Sequence, residues 1–572
     1  MNPLSQAIAA LPELRELQEA VEAGRCPVSV SGLSPVHRAM VAAALRQSMQ
    51  RPIVVLCADE GEARRMAVDL QSLTGIEPAL LFAREWQLRD RVYASHSFEQ
   101  QRLGTLCSLA AGKVNLLVLT VDSIMQRTLP PDALRDAALT LKPGGCFDLN
   151  DLARRLDASG YARAEQVEGV GQFAVRGGIL DVWSPLAEPV RVEFFDDEID
   201  AMGEFNVSTQ RRTKNIRKLT ILPAAEVLPE AAEGGREGLY ARIEHAAKQL
   251  AKKKGADKAV DTLHADLDRF QQHLPVGGMD RYLPACYPTQ VSALDYLPSD
   301  ALVFLSDGAR LAERARGFLW ELEQDSLPLI ETGELSGAFA DVALSADALS
   351  ERLRDFPTVQ LNALPTSRDL LSPRTLLSMN VKQLPSYGGS LETAAADMQH
   401  YISTGSGVTV LCGNETRAKN FLRLLEERKI KARPDFKNET LPRLGEVTVG
   451  IGTLSAGSEI PQLKLAILTE GQLTTPVAGK KKRQSAAEEG FQPPEAAILH
   501  RPVPRRPGGT RPPRHRPLCG HRADAGGRRG QGLYQDRLRG QRQPLRPRDA
   551  ARSGVEVHRR RRGRGWSTHY KT

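Results

Sequence analysis

The chain has 572 residues, too many for one compact core at roughly 100 to 200 residues per domain, so a single-domain protein is excluded. It is 41% hydrophobic and 26% charged, and no apolar run approaches the roughly 18 to 20 residues that cross a bilayer, which argues against a membrane protein. The net charge of +8 averages two unlike parts: residues 501–572 hold 20 Arg and one Lys against four acids, a net of +17, whereas the first 500 carry 56 bases against 65 acids, a net of −9.

The opening MNPLSQAIAALPELRELQEAVEAG lacks a basic leader, a continuous apolar stretch and a small-residue cleavage site, so a cytoplasmic location is expected. Seven scattered cysteines without a C-x-x-C pair predict reduced thiols rather than a disulfide framework or zinc ribbon. Residues 1–129 then alternate β-branched runs with helical patterns, the habit of a parallel α/β sheet. Strands are expected at Cys26 to Val30, Ile53 to Cys57, Pro78 to Phe82 and Val114 to Thr120, with helices at Val36 to Met49, Glu62 to Leu73 and Phe98 to Ala111.

The texture changes after Pro130. A short helix, FDLNDLARRLDASG, with Asn150 as its expected cap and Gly160 at its end, precedes short alternating strands broken by Gly177, Gly178, Pro185 and Pro189, which reads as an antiparallel α+β insert over 130–222. The pattern returns to α/β at 223–355, with a long helical stretch and then a strand and helix in ALVFLSDGARLAERARGFLWELE. A small α/β unit is expected over 380–475, followed by a basic linker and tail over 476–572.

The turn after the first strand is where a phosphate-binding loop would read G-x-x-x-x-G-K-[ST]. Starting at Gly32 the chain instead places His37 at the second glycine, Arg38 at the lysine and Ala39 at the hydroxyl that would ligate magnesium, while Pro35 removes a backbone donor. The matching second motif keeps Asp307 but has Gly308 where a catalytic Glu would position water. No nucleotide binding and no catalytic residues are expected from this frame. His37, His96, His264, His273 and His400 show no metal-ligand spacing, so no metal is expected, and Asp196, Asp197 and Glu198 read as a solvated turn or strand edge.

Residues 160–212 carry a longer pattern: GY, then QV, then F-A-V-R-G-G-I-L-D, a Pro, R-V-E-F-F-D-D-E-I and S-T-Q-R. This segment resembles one shared by the nucleotide-excision-repair protein UvrB and the bacterial transcription-repair-coupling factors (Mfd). The lost ATP loop favours the coupling factors, and LVLTVDSIMQR, ILPAAEV and ALDYLPSDALVFL agree with that choice. The resemblance implies a degenerate RecA-like, P-loop NTPase-type parallel sheet domain in two segments, 1–129 and 223–355, interrupted by a UvrB-like interaction domain and followed by a small α/β domain. It also implies docking of the excinuclease protein UvrA on the insert, with RNA polymerase, duplex DNA, ATP and magnesium engaged only by the full-length family. Carried over residue by residue, the docking positions are Arg176, Arg191 and Phe195. Alternation with Phe194 leaves open which phenylalanine is exposed.

The tail departs from that pattern. Residues 501–572 have 11 Gly and 8 Pro but no Ile, Phe or Met, too little apolar surface to offset the entropy of ordering, so a disordered basic tail is expected. Twenty arginines with one lysine is what GC-rich coding DNA gives out of frame. Codons for 532–558 can also be chosen so that the neighbouring frame spells strings resembling the family's polymerase-interacting domain. A frameshift near residue 492 is therefore expected, which leaves a recruiting module without the motor. The alternative is a genuine arginine-rich nucleic-acid binder acting through counterion release.

Overall fold

The computed structural model describes residues 3–84 and 96–473, apart from 273, 275, 333 and 334 and the side chains of 96–98. The expected linker and tail, His273 and the side chain of His96 therefore lie outside the described residues.

The first sheet begins with β1 (Val28–Ser31), β2 (Ile53–Cys57), β3 (Ala79–Leu81) and β4 (Leu116–Thr120). Every residue of β1, β2 and β4 is buried, as expected for parallel strands covered by helices on both faces. The helix Pro35–Met49 starts with proline at its first position, and Glu60–Thr74 is capped by Asp59, whose carboxylate accepts the Glu62 N–H.

The insert holds β5 (Leu139–Leu141), the helix Leu149–Ala158, β6 (Ala162–Arg163), β7 (Gln172–Arg176), β8 (Ile179–Val182), β9 (Val190–Phe195), β10 (Glu198–Phe205), β11 (Arg212–Asn215) and β12 (Leu219–Ile221). β6 to β11 form one sheet in sequence order, antiparallel except between β6 and β7. β5 and β12 pair at its root. Leu152 and Leu156 of the helix pack on Phe173, Leu180 and Val192, which fixes the inner face of the sheet. The helix cap is Asp148 rather than Asn150: the Asp148 carboxylate accepts the Asp151 N–H, and Asn150 lies inside the first turn.

The insert is pinned where it returns. Glu226 is fully buried, takes Arg102 Nε at 2.8 Å and Thr128 Oγ1 at 2.5 Å, and pairs with Arg84 at 3.8 Å. Burial opposes its charge, but Arg102 and then Arg84 outweigh that and hold its carboxyl below the usual range.

Beyond the insert, the expected long helix is two, Gly235–Leu250 and Asp257–Gln271. β13 (Leu302–Ser306), β14 (Thr358–Leu361) and β15 (Thr375–Ser378) complete the first sheet in the order β15-β1-β14-β13-β2-β4-β3, so two of its seven strands lie past residue 355. The last sheet contains β16 (Lys382–Gln383), β17 (Gly407–Cys412), β18 (Ala432–Asp435), β19 (Val447–Ile451), β20 (Ser458–Ile460) and β21 (Leu465–Thr469), ordered β16-β20-β21-β17-β19-β18. Its Leu411, Leu454, Ile460 and Ile467 share one apolar cluster with Ile8, Leu11, Val28 and Leu73 of the first part. An apolar seam of this kind holds two domains as one body rather than as hinged modules.

Candidate protein-docking site

Residues alternate across a strand, so with Phe173, Leu180 and Val192 turned inward, Arg176, Asp181 and Arg191 share the outer face of the insert's sheet. Asp181 and Arg191 are direct cross-strand partners, and Arg176 ends the neighbouring strand beside Ile179. The turn between β7 and β8 is Gly177-Gly178. Gly177 adopts φ +59°, and a side-chain carbon on Gly178 would approach the Phe194 carbonyl oxygen to 3.0 Å. Glycine at both positions lets the hairpin close against β9 and keeps Arg176 at the sheet's rim.

Asp181 lies on the outer face yet is only 1% exposed, because two guanidinium groups roof it. Its Oδ2 accepts from Arg176 Nη2 at 2.7 Å and from Arg191 Nη2 at 2.8 Å, and its Oδ1 accepts from Arg191 Nε at 2.7 Å. Arg191 also donates to the Gln210 backbone carbonyl at 3.1 Å and to Gln210 Oε1 at 3.0 Å, and its guanidinium carbon lies 4.9 Å from the Phe205 ring centre. The hydrogen bonds from Arg191 to Asp181 raise the Arg191 pKa further. The two arginines thus differ: Arg191 is bonded on every side within the sheet, whereas Arg176, with a side chain 47% exposed, spends one donor on Asp181.

The phenylalanines separate as alternation requires. Phe194 packs against the insert's core, and Phe195, at the end of β9, is 81% exposed. Asp196 follows with φ +55° and, with Asp197, turns β9 into β10, so the Asp196, Asp197 and Glu198 run forms an exposed turn and strand start. Sequence reasoning misses Asp181, Gln210 and Phe205. Asp181 is legible as the one charge in an otherwise apolar strand, and Gln210 as part of S-T-Q-R, but their partners come from separate strands.

The turn after β1, where a phosphate-binding loop would lie, has a different geometry. Gly32 has φ +88°, and a side-chain carbon there would meet the Met379 carbonyl oxygen at 2.3 Å, so the chain after β15 closes over the turn. Arg38, buried, donates to Glu62 Oε1 at 3.3 Å, Ser306 Oγ at 3.1 Å and Asp307 Oδ2 at 3.1 Å. Ser306 Oγ donates to Glu62 at 2.6 Å, and Arg310 bonds Asp59 and Glu62. His37 is buried between Ser34 Oγ at 2.8 Å and Ser458 Oγ at 2.7 Å, a serine of β20 in the last domain. Burial lowers its pKa to about 4, which keeps the ring neutral. Ala39 is a buried methyl group. These residues do not fit a nucleoside triphosphate with magnesium: the lysine-like cation is consumed by carboxylates, the hydroxyl is missing and a carbonyl oxygen covers the glycine. Among the described residues no cluster of three or more His, Cys, Asp or Glu is placed to hold a metal, and no helix is long and apolar enough to cross a membrane.

Residues 139–226 match the family described as the UvrB interaction domain. The chain is 26% identical over 493 residues to the transcription-repair-coupling factor of Bacillus subtilis, covering 85% of this chain and 41% of that protein. It is 24% identical over 467 residues to that of Staphylococcus haemolyticus, covering 81% and 39%, and 23% identical over 469 residues to that of Staphylococcus aureus, covering 81% and 40%. The chain thus spans about two fifths of the length of these relatives. It is a relative of the transcription-repair-coupling factors, and its outward arginines and Phe195 lie inside a UvrB interaction domain.

Proposed function

We propose that this chain is the recruiting module of a transcription-repair-coupling factor, docking the excinuclease protein UvrA where RNA polymerase has stalled. One observation carries the reading: Arg176 and Phe195 stand out from the UvrB interaction domain, positioned by a buried carboxylate and a tight hairpin. A guanidinium and an aromatic ring presented together are the residue types enriched in binding hot spots. On this reading, contacts with RNA polymerase and duplex DNA and ATP-driven translocation belong to the part of the relatives' length that this chain does not span, and the closed turn at Gly32 supports a chain that does not turn over ATP.

The test is capture of purified UvrA by this chain, with the charge reversals Arg176→Glu and Arg191→Glu combined. Saturable binding abolished by the pair is expected; binding untouched by it would overturn the proposal. The nucleic-acid reading makes a separate demand, since deleting residues 492–572 would then remove nucleic-acid affinity, whereas docking predicts that the deletion leaves capture of the protein partner intact.

A further inference from the structure

The two arginines of the docking face carry the same charge but are bonded unequally. Arg191 makes two bonds to Asp181 and two to Gln210 and lies over Phe205, which leaves its guanidinium little to offer outside the sheet. Among the described residues Arg176 has a single hydrogen bond, to Asp181 Oδ2, on the edge of its fork. A long side chain at a strand end loses considerable rotamer entropy on binding unless it is already held. The shared carboxylate supplies that hold. Asp181 is 1% exposed, so it cannot itself reach a partner, and any effect it has on binding must pass through the guanidinium groups above it.

We propose that Asp181 is the positioning residue of the docking face, that Arg191 is an internal strut locking Asp181 in place, and that Arg176 alone of the two arginines delivers a guanidinium to the partner. The inference deepens the docking reading and rests on it for the identity of the partner. Its geometry, however, can be tested without any partner. The remaining donors of Arg176 point to a carboxylate or backbone carbonyl as the recognised group, since a guanidinium fork has no acceptor to offer.

Two measurements on the full chain separate the inference from the docking reading. The first is arginine-selective labelling with a dicarbonyl reagent, read by peptide mass spectrometry. Arg176 should react at least about fivefold faster than Arg191, as expected when one guanidinium is hydrogen-bonded on all sides and the other on one. In Asp181→Asn the Arg191 rate should rise toward that of Arg176. Equal rates in the parent chain would overturn the inference whatever the binding result.

The second is a double-mutant cycle for binding to UvrA. Asp181→Asn should weaken binding about tenfold in the parent chain but less than about twofold in an Arg176→Ala background, because coupled residues are not additive. Equal losses in both backgrounds would mean that Asp181 acts through the fold at large and would overturn the positioning role. Asp181→Glu, which keeps the charge, should restore part of the affinity and of the Arg191 protection. If the parent chain shows the labelling contrast yet binds no UvrA, the docking reading falls and the division of labour between the arginines stands.

Discussion

Two arginine–aspartate pairs in this molecule have the same chemistry and opposite uses. Arg38 with Asp307 sits beside the turn at Gly32, its side chain 5% exposed and its donors shared among Glu62, Ser306 and Asp307. Arg176 with Asp181 sits at the rim of the insert, with the carboxylate buried and the guanidinium 47% exposed. In the first pair the cation is taken from solvent and serves the fold. In the second only the anion is taken, and the cation remains available. Which member of an ion pair is buried, more than the pair itself, decides whether a site closes or opens.

The contrast can be broken most forcefully at its closed end. Arg38→Ala leaves Glu62 buried without that guanidinium partner, and breaking such a pair costs about 3 to 5 kcal/mol, so the midpoint of urea unfolding should fall sharply. The same variant should retain affinity for UvrA once folded, because the insert's core is separate.

A second test uses pH at the seam between the first and last domains. The folded pKa of His37 is lowered to about 4 from an ordinary value of 6.5, so the unfolded chain binds the proton more readily in between. The stability this contributes is present above about pH 6.5 and is lost as the pH falls toward 4, by about 3 kcal/mol. Asp69 has the opposite sign: burial raises its pKa to about 6 although it accepts from the Ser455 N–H and Oγ, each at 2.6 Å. Its contribution is present in acid and is lost as the pH rises from about 4 to 6. Chemical denaturation from pH 4 to 7 should therefore show a shallow dependence from these two groups in the parent chain. It should be steeper and acid-labile in Asp69→Asn, and no change of slope in that variant would refute the assignment.

At the open end the effects on binding are smaller and those on stability smaller still. Arg176→Ala should weaken capture of UvrA by about 2 kcal/mol, a hot-spot value, with stability changed by less than about 1 kcal/mol. Phe195→Ala should cost about 1 to 2 kcal/mol of binding and shift unfolding hardly at all, whereas Phe194→Ala should do the reverse by removing a ring from the insert's core. Calorimetry of each variant with and without the partner measures both quantities.

Much of the fold is legible in the sequence because strong local signals agree with the tertiary result. Ile53 to Cys57 is a strand with those bounds, and the helix expected at Val36 to Met49 gains one residue, Pro35. β18 and β20 are not foreseen: ARPD carries a proline and charges, and SEI is three residues long, so each becomes a strand only because a neighbour supplies hydrogen bonds. The family pattern singles out Arg176, Arg191 and Phe195 as candidates, and alternation frames the choice between Phe194 and Phe195 without deciding it. The bonding that makes Arg191 internal cannot be read from the sequence, because Asp181, Phe205 and Gln210 reach it from three places that only the folded sheet brings together. The closure of the Gly32 turn is likewise hidden, since Met379 and Ser458 lie hundreds of residues downstream.

The sheet order carries a consequence for synthesis. β1 is flanked by β14 and β15, which pair with Val28 through Val359 and Thr375. A ribosome must therefore release nearly 360 residues before that strand acquires its first neighbour, Val359 in β14, whereas the insert closes from residues 139–221 alone. The nascent protein should pass through a stage in which the insert is already formed and the sheet that bears it still has open apolar edges, the stage at which chaperones are most needed.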